Sequence, residues 1–259
     1  TYIDLKKEQG RLTSSEANYW KEKTGNLQEY QYGYHKGWSM ILDTLTWPVL
    51  IMMIICIGIA PIFAGEYQSK CDSLILCMKY GKSKLIFAKT VSGWLYATCV
   101  YWGITLIYSS VYMIFLGTQG ADLPIQLKYP AMSVGYNLTM GEAVGIALLL
   151  GYFFTLGIMG ITLFMSALLK NTYAVIIVAF LLIIIPTFLS PDTGGYAWSH
   201  VLSLLPPKIA DFSFQSYTAY SIGNIVLSWP VMAILINAIV AVICSVLGYI
   251  VFRKHQVNK

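Results

Sequence analysis

The sequence predicts an all-α fold, a polytopic bundle of transmembrane helices. Charged residues are absent from five long windows of the chain, and each window contains a dense apolar run. Hydrophobic residues make up 57% of the chain and charged residues 11%, whereas soluble domains have roughly 45–50% and 25%. The mean hydropathy is +0.63. A water-soluble fold of this composition would lack the polar residues needed to cover its surface.

The charge-free windows are long enough to give five spans. They cover residues 44–65, 90–121, 143–169, 171–191 and 212–252. A hydrocarbon core of about 30 Å requires roughly 20 apolar residues in a helix. We therefore expect transmembrane helices at about 47–64, 94–116, 143–168, 173–189 and 227–252. An odd number of spans places the two ends of this chain on opposite sides of the membrane.

The distribution of Lys and Arg predicts the orientation. The loop 66–93 contains five lysines and two acidic residues, and the tail after residue 252 contains three basic residues and no acidic one. The loops 117–142 and 190–226 contain one lysine each. Because short cytoplasmic loops are enriched in Lys and Arg, the loop 66–93 and the C-terminus are expected in the cytoplasm of a multi-pass cell-membrane protein.

Residues 1–46 are then extracellular, and their six basic and six acidic residues fit a solvated segment. Thr13 and Glu16 form a potential capping box that would open a helix ending near Lys23. The aromatic-rich run 30–38 favours the membrane interface. The organisation expected is a mostly helical extracellular segment at 1–46 followed by a transmembrane domain at 47–259.

An extracellular start requires an export signal ahead of it. The sequence begins at Thr1 and has no apolar stretch before residue 44. We expect a further transmembrane helix upstream, which would be the first of six spans. A cleaved signal peptide is the alternative.

The loop 66–93 is the most informative stretch for function. Leu74, Ile75 and Met78, together with Cys71, form an apolar stripe at helical spacing within 66–80. Such a short amphipathic helix either anchors the loop at the interface or docks into a groove of a soluble partner. The residue pattern alone leaves both interpretations open.

Several enzymatic classes lack the residues that they need. Gly81-Lys82-Ser83 resembles the end of a phosphate-binding loop, but that pattern requires a glycine at the position of Leu76. No Asp, Glu, Lys or Arg lies deep in a predicted span, so a proton relay is difficult to build. The three histidines lie outside the spans, which argues against an intramembrane metalloprotease. No catalytic residue, bound cofactor or metal site is therefore expected.

Two runs of residues resemble permease subunits of ABC-2 type transporters. They are Ala-Pro-Ile-Phe-Ala-Gly-Glu-Tyr-Gln-Ser-Lys at 60–70 and Lys-Tyr-Gly-Lys-Ser-Lys-Leu-Ile-Phe-Ala-Lys at 79–89. The run Tyr-Gly-Tyr-His-Lys-Gly-Trp at 32–38 resembles the exported loop of the branch found in Gram-positive bacteria, and the resemblance covers essentially the whole chain. The chain departs from the family by lacking its first helix and by having Lys70 where a small residue is more usual.

The resemblance implies the membrane half of an ATP-driven exporter for peptides, lipid-like or lipophilic substrates. Its implied partners are a cytoplasmic ABC ATPase subunit, which would bind the ATP, a second permease subunit and the lipid bilayer, with no nucleic acid. The residues expected to couple the spans to the ATPase are Glu66, Tyr67, Ser73, Leu74, Met78, Lys79 and Lys82. A non-transporting immunity or sensor subunit that binds an antimicrobial peptide is the alternative function.

Overall fold

The computed structural model describes residues 2–25, 32–44, 47–71, 78, 81–129, 134–189, 196–214, 217–222 and 225–254. Within these ranges the chain is a helical bundle with one small hairpin. Four stretches of helix are long and apolar enough to cross a membrane: Trp47–Gln68, Ser83–Leu116, Met140–Leu168 and Trp229–Lys254. The expected all-α polytopic bundle is confirmed, and the chain is a membrane protein.

The first of these stretches is two helices in series. Helix α4 (Trp47–Ile59) and helix α5 (Pro61–Gln68) meet at Ala60. Pro61 cannot donate a backbone hydrogen bond to the preceding turn, which explains a break at this position. Three short helices precede them: α1 (Tyr2–Glu8), α2 (Ser14–Gly25) and α3 (Lys36–Asp43).

Helix α7 (Met140–Leu168) is the centre of the bundle. In the most apolar 18-residue window of α7, 61% of the window is buried inside the bundle. The corresponding share for helix α6 (Ile86–Leu116), which lies at the periphery, is 11%. Helix α10 (Trp229–Lys254) packs closely on α7 because glycines line the contact. A Cβ added at Gly160 would lie 2.8 Å from the Cα of Ala241. Gly157 and Gly160 thus serve helix packing, as small residues commonly do in membranes, whereas a Cβ added at Gly145 would contact nothing in the described part of the chain.

The fourth expected span forms the shorter helix α8 (Thr172–Phe188). Its 17 residues correspond to about 26 Å of helix, close to the lower limit for a span. Asn171 caps its start, because the side-chain oxygen accepts a hydrogen bond from the backbone N–H of Tyr173 at 2.9 Å.

The capping box predicted ahead of α2 is confirmed. The backbone N–H of Thr13 donates to Glu16 Oε2 at 2.9 Å, and the Glu16 N–H donates to Thr13 Oγ1 at 3.4 Å. A second capping box, which was not predicted, is formed by Thr139 and Glu142 at the start of α7.

The segment between α8 and α10 contains a short helix, a 3₁₀ turn and a β-hairpin. Helix α9 (Tyr196–Ser203) is followed by a 3₁₀ turn at Pro206–Asp211. Strands β1 (Ala219–Ile222) and β2 (Ile225–Ser228) then pair in an antiparallel hairpin, with Ala219 opposite Ser228.

The expected amphipathic helix at 66–80 does not begin at residue 66. Glu66 and Tyr67 belong to α5, which ends at Gln68. The N–H of Cys71 then donates to the carbonyl of Glu66, and that of Lys70 to Tyr67. Lys70 has a φ of +55°, so this is a Schellman ending with Lys where glycine is usual. Residues 72–77, which include Leu74 and Ile75 of the apolar stripe, lie outside the described ranges.

Candidate functional site

The described residues of the expected coupling set fall into two groups. Glu66 and Tyr67 lie on α5 and are partly buried in the bundle. Met78 is exposed over 54% of its surface, and Lys82 lies in a π-helical turn, Gly81–Leu85, that leads into α6. The other three, Ser73, Leu74 and Lys79, fall in the parts of the chain that the structure does not describe.

Glu66 and Tyr67 lie at one end of the bundle, which we call the basic end. Here α5 and α7 end, α6 and α8 begin, and α10 ends. The Lys and Arg residues at or next to these helix ends are Lys70, Lys84, Lys89, Lys170, Arg253 and Lys254. The short helices α1 to α3, helix α9 and the hairpin belong to the opposite end.

An ion pair between Glu66 and Lys89 joins α5 to α6. The Lys89 ammonium donates to Glu66 Oε1 and also to the carbonyl of Ile62, the latter at 2.9 Å. The two side chains are 13% and 25% exposed, respectively. A charge pair that is this well shielded from water is screened less than a surface pair, so it holds the two helices together across the intervening loop.

Ser166 of α7 stabilises the break between α4 and α5. Its hydroxyl oxygen accepts hydrogen bonds from the backbone N–H groups of Phe63, at 3.0 Å, and Ala64, at 3.1 Å. The same hydroxyl donates to the carbonyl of Ala60 at 2.7 Å. Because the N-cap residue Ala60 has no side-chain acceptor of its own, a serine from another helix takes the role that a local cap usually has.

Tyr67 connects α5 to the ends of α7 and α10. Its hydroxyl donates to the carbonyl of Ala167 at 3.2 Å. Its ring lies 5.4 Å from that of Phe252, which is fully buried and also packs on Phe63. One residue later, the Gln68 side-chain amide donates to Asn171 Oδ1 at 3.1 Å, which extends the connection to the start of α8.

These contacts form what we call the basic-end junction, defined by Glu66, Tyr67, Lys89, Ser166 and Phe252. The junction connects α5 directly to α6, α7 and α10, and Gln68 adds α8. The end of α5 is therefore in direct contact with four other helices of the bundle. Lys89, Ser166 and Phe252 were not among the expected site residues.

Glu66 and Tyr67 both interact within the chain. Glu66 pairs with Lys89, and Tyr67 packs inward on Ala167 and Phe252.

A second polar cluster lies at the opposite end of the bundle. The buried Glu16 carboxylate accepts hydrogen bonds from the hydroxyls of Tyr196, at 2.7 Å, and Ser221, at 3.4 Å. Desolvation, followed by the hydrogen bond to Glu16, raises the pKa of Tyr196 to about 12. The cluster ties α2 to α9 and to the hairpin. Among the residues that the structure describes, no group of three or more His, Cys, Asp or Glu side chains could hold a metal ion.

Comparison with known families places the whole bundle in one family. The family model described as "Protein of unknown function (DUF2705)" matches residues 16–257. The chain belongs to this family. The match includes most of α2, all the long helices and the complete basic-end junction. No curated protein and no solved structure matches the chain.

Proposed function

We propose that this member of the DUF2705 family is the membrane-spanning permease subunit of an ATP-binding cassette exporter. The chain would move a peptide, lipid-like or lipophilic substrate out of the cell, and a separate cytoplasmic ATPase would supply the energy. Support comes from the resemblance of residues 60–70 and 79–89 to ABC-2 type permeases and from the helical bundle that contains both runs.

The basic-end junction is the observation on which the proposal rests. The two resembling runs lie on either side of one loop, and the Glu66–Lys89 pair joins them. Binding of ATP would close the ATPase pair and push on the chain between residues 69 and 85. Glu66 and Tyr67 would carry that push into α6, α7 and α10, because their contacts reach all three helices.

The proposed orientation follows the lysine distribution. The basic end faces the cytoplasm, as the positive-inside rule favours, and α1 to α3 and the hairpin lie outside. Met78 is exposed and is proposed to contact the ATPase together with Ser73, Leu74, Lys79 and Lys82. A second permease subunit, either another copy or a relative, would complete the pathway.

Co-purification with the ATPase tests the proposal. An ABC ATPase, sought in the neighbouring reading frames, would be co-expressed with the full chain carrying Leu74→Asp or Met78→Asp. A carboxylate buried without a partner in an apolar groove costs several kcal/mol, and each 1.4 kcal/mol or so is tenfold in affinity. Both variants should insert normally but lose the ATPase. Tyr32→Asp is the matched control, since Tyr32 is 91% exposed and lies at the opposite end.

Two outcomes would contradict the proposal. Normal co-purification and full ATP-dependent efflux by both aspartate variants would leave this loop as an interfacial anchor. Protection of cells from an antimicrobial peptide without any ATP-dependent efflux from reconstituted vesicles would instead favour the immunity or sensor function.

A further inference from the structure

A lateral groove runs between α6 and α10 in the half of the bundle nearer the basic end. Its volume is about 500 Å³. The α6 wall consists of Phe87, Thr90, Val91, Trp94, Leu95 and Thr98, and the α10 wall of Val242, Ser245 and Val246. Phe87 and Leu95 are each at least 60% exposed. The groove is separate from the basic-end junction and opens towards the space that a bilayer would occupy.

The surface of the groove is apolar although three hydroxyl residues line it. The hydroxyls of Thr90, Thr98 and Ser245 donate to carbonyls of their own helices at 2.7–3.0 Å. The indole N–H of Trp94 donates to Ser245 Oγ at 3.1 Å, across the floor of the groove. Since these donors are already satisfied, the groove offers an occupant mainly dispersion and apolar burial. A hydrocarbon chain is the kind of ligand that such an apolar surface would bind.

Each wall of the groove leads to a cation at the basic end. Lys84 lies in the π-helical turn Gly81–Leu85 directly before α6, three residues before Phe87. On α10, Arg253 lies seven residues after Val246. Residues three, four or seven apart share one face of a helix, and seven residues span about 10 Å. Lys84 and Arg253 are both exposed, so they flank the basic end of an apolar slot.

We propose that this groove binds one anionic phospholipid. Its acyl chain would lie against Trp94 and Leu95, and its phosphate would lie between Lys84 and Arg253. Basic pockets between transmembrane helices are a recognised arrangement for anionic headgroups. A second copy of the chain inserted in the same orientation would bring further cations to this end, whereas a phosphate supplies the opposite charge.

Native mass spectrometry of the full chain in detergent tests the proposal. Phosphatidylglycerol and phosphatidylcholine with identical acyl chains would be titrated separately, and the ratio of their dissociation constants compared between variants. Wild type should prefer phosphatidylglycerol. Lys84→Ala and Arg253→Ala should each lower that preference about fivefold. Lys170→Ala and Lys254→Ala are matched controls. Each removes a cation from the same end, but from a position outside the two helix faces that line the groove.

A groove-filling variant separates lipid binding from simple charge attraction. Val91→Trp places a bulky side chain in the slot and should weaken phosphatidylglycerol binding while both cations remain. Equal affinity for the two lipids in wild type, or unchanged binding by Val91→Trp, would overturn the proposal. A lipid-free dimer that Val91→Trp disrupts would also overturn it, since a second copy would then cover the groove.

Discussion

Single residues at the basic-end junction make interactions that a helix pattern does not reveal. Ser166 lies within an apolar run of α7, where a serine ordinarily bonds its own helix. Here its hydroxyl bonds three backbone groups of the α4–α5 break instead. Pro61 indicates the break in the sequence, but the residue that compensates for it lies about a hundred positions away. Such a contact depends on helix packing and could not be predicted from local sequence.

Replacement of Ser166 should show what this cap contributes. In Ser166→Ala, the buried N–H groups of Phe63 and Ala64 lose their acceptor, so stability should fall by about 1–3 kcal/mol. Unfolding in detergent, followed by circular dichroism, would measure the change. Ser92→Ala is the control, because Ser92 is exposed and bonds only its own helix. Equal stability of the two variants would show that the Ser166 hydroxyl does not stabilise the break between α4 and α5.

Lys70 offers a stabilising substitution. A non-glycine residue in the left-handed region costs roughly 1–2 kcal/mol, and Lys70 adopts a φ of +55°. Lys70→Gly should therefore raise the melting temperature in detergent, with a gain of about 1 kcal/mol. Gly10 has a φ of +69°, so the converse substitution Gly10→Lys should be destabilising. A lower melting temperature for Lys70→Gly would show that the lysine side chain contributes more than its backbone strain costs.

At the scale of elements, the sequence located the long helices and, through its capping box, helix α2, but not the hairpin. Helix α4 starts at residue 47, where the first span was expected to start. Helix α5 ends at Gln68, beyond the expected end of that span at about residue 64. The hairpin was missed because residues 212–252 form one charge-free window. A local signal was nevertheless present, since Gly223 and Asn224 alone separate the two strands, which is typical of a tight hairpin. The hairpin was not predicted because the apolar composition of the window was given more weight than this turn signal.

The ion pair between α5 and α6 can be measured with a double-mutant cycle. Glu66→Gln and Lys89→Met should each destabilise the protein by about 1–3 kcal/mol, because the pair is intermediate between exposed and fully buried pairs. The double variant should lose less than the sum of the two single losses. Strict additivity in detergent unfolding would mean that the two side chains do not interact.

The whole molecule has one end with an excess of basic residues, and its orientation can be tested directly. Single cysteines at Ser14 and Ser83, in a background without the five native cysteines, would be exposed to a membrane-impermeant maleimide on intact cells. Both positions are exposed. Labelling at residue 14 but not at residue 83 is expected, because positive loops are retained inside. The reverse pattern would place the basic end outside and remove the site proposed for the ATPase.

The most direct test of the central claim is the rate of ATP hydrolysis by the partner ATPase, measured with and without the full chain in proteoliposomes. Wild type should change that rate. The Glu66→Gln/Lys89→Met double variant should still co-purify with the ATPase but should lose most of the effect, because the residues proposed to contact the ATPase are unchanged while the junction is broken. A double variant that changes the rate as much as wild type does would contradict coupling through the basic-end junction. A wild-type chain that leaves the rate unchanged would contradict the proposed function itself.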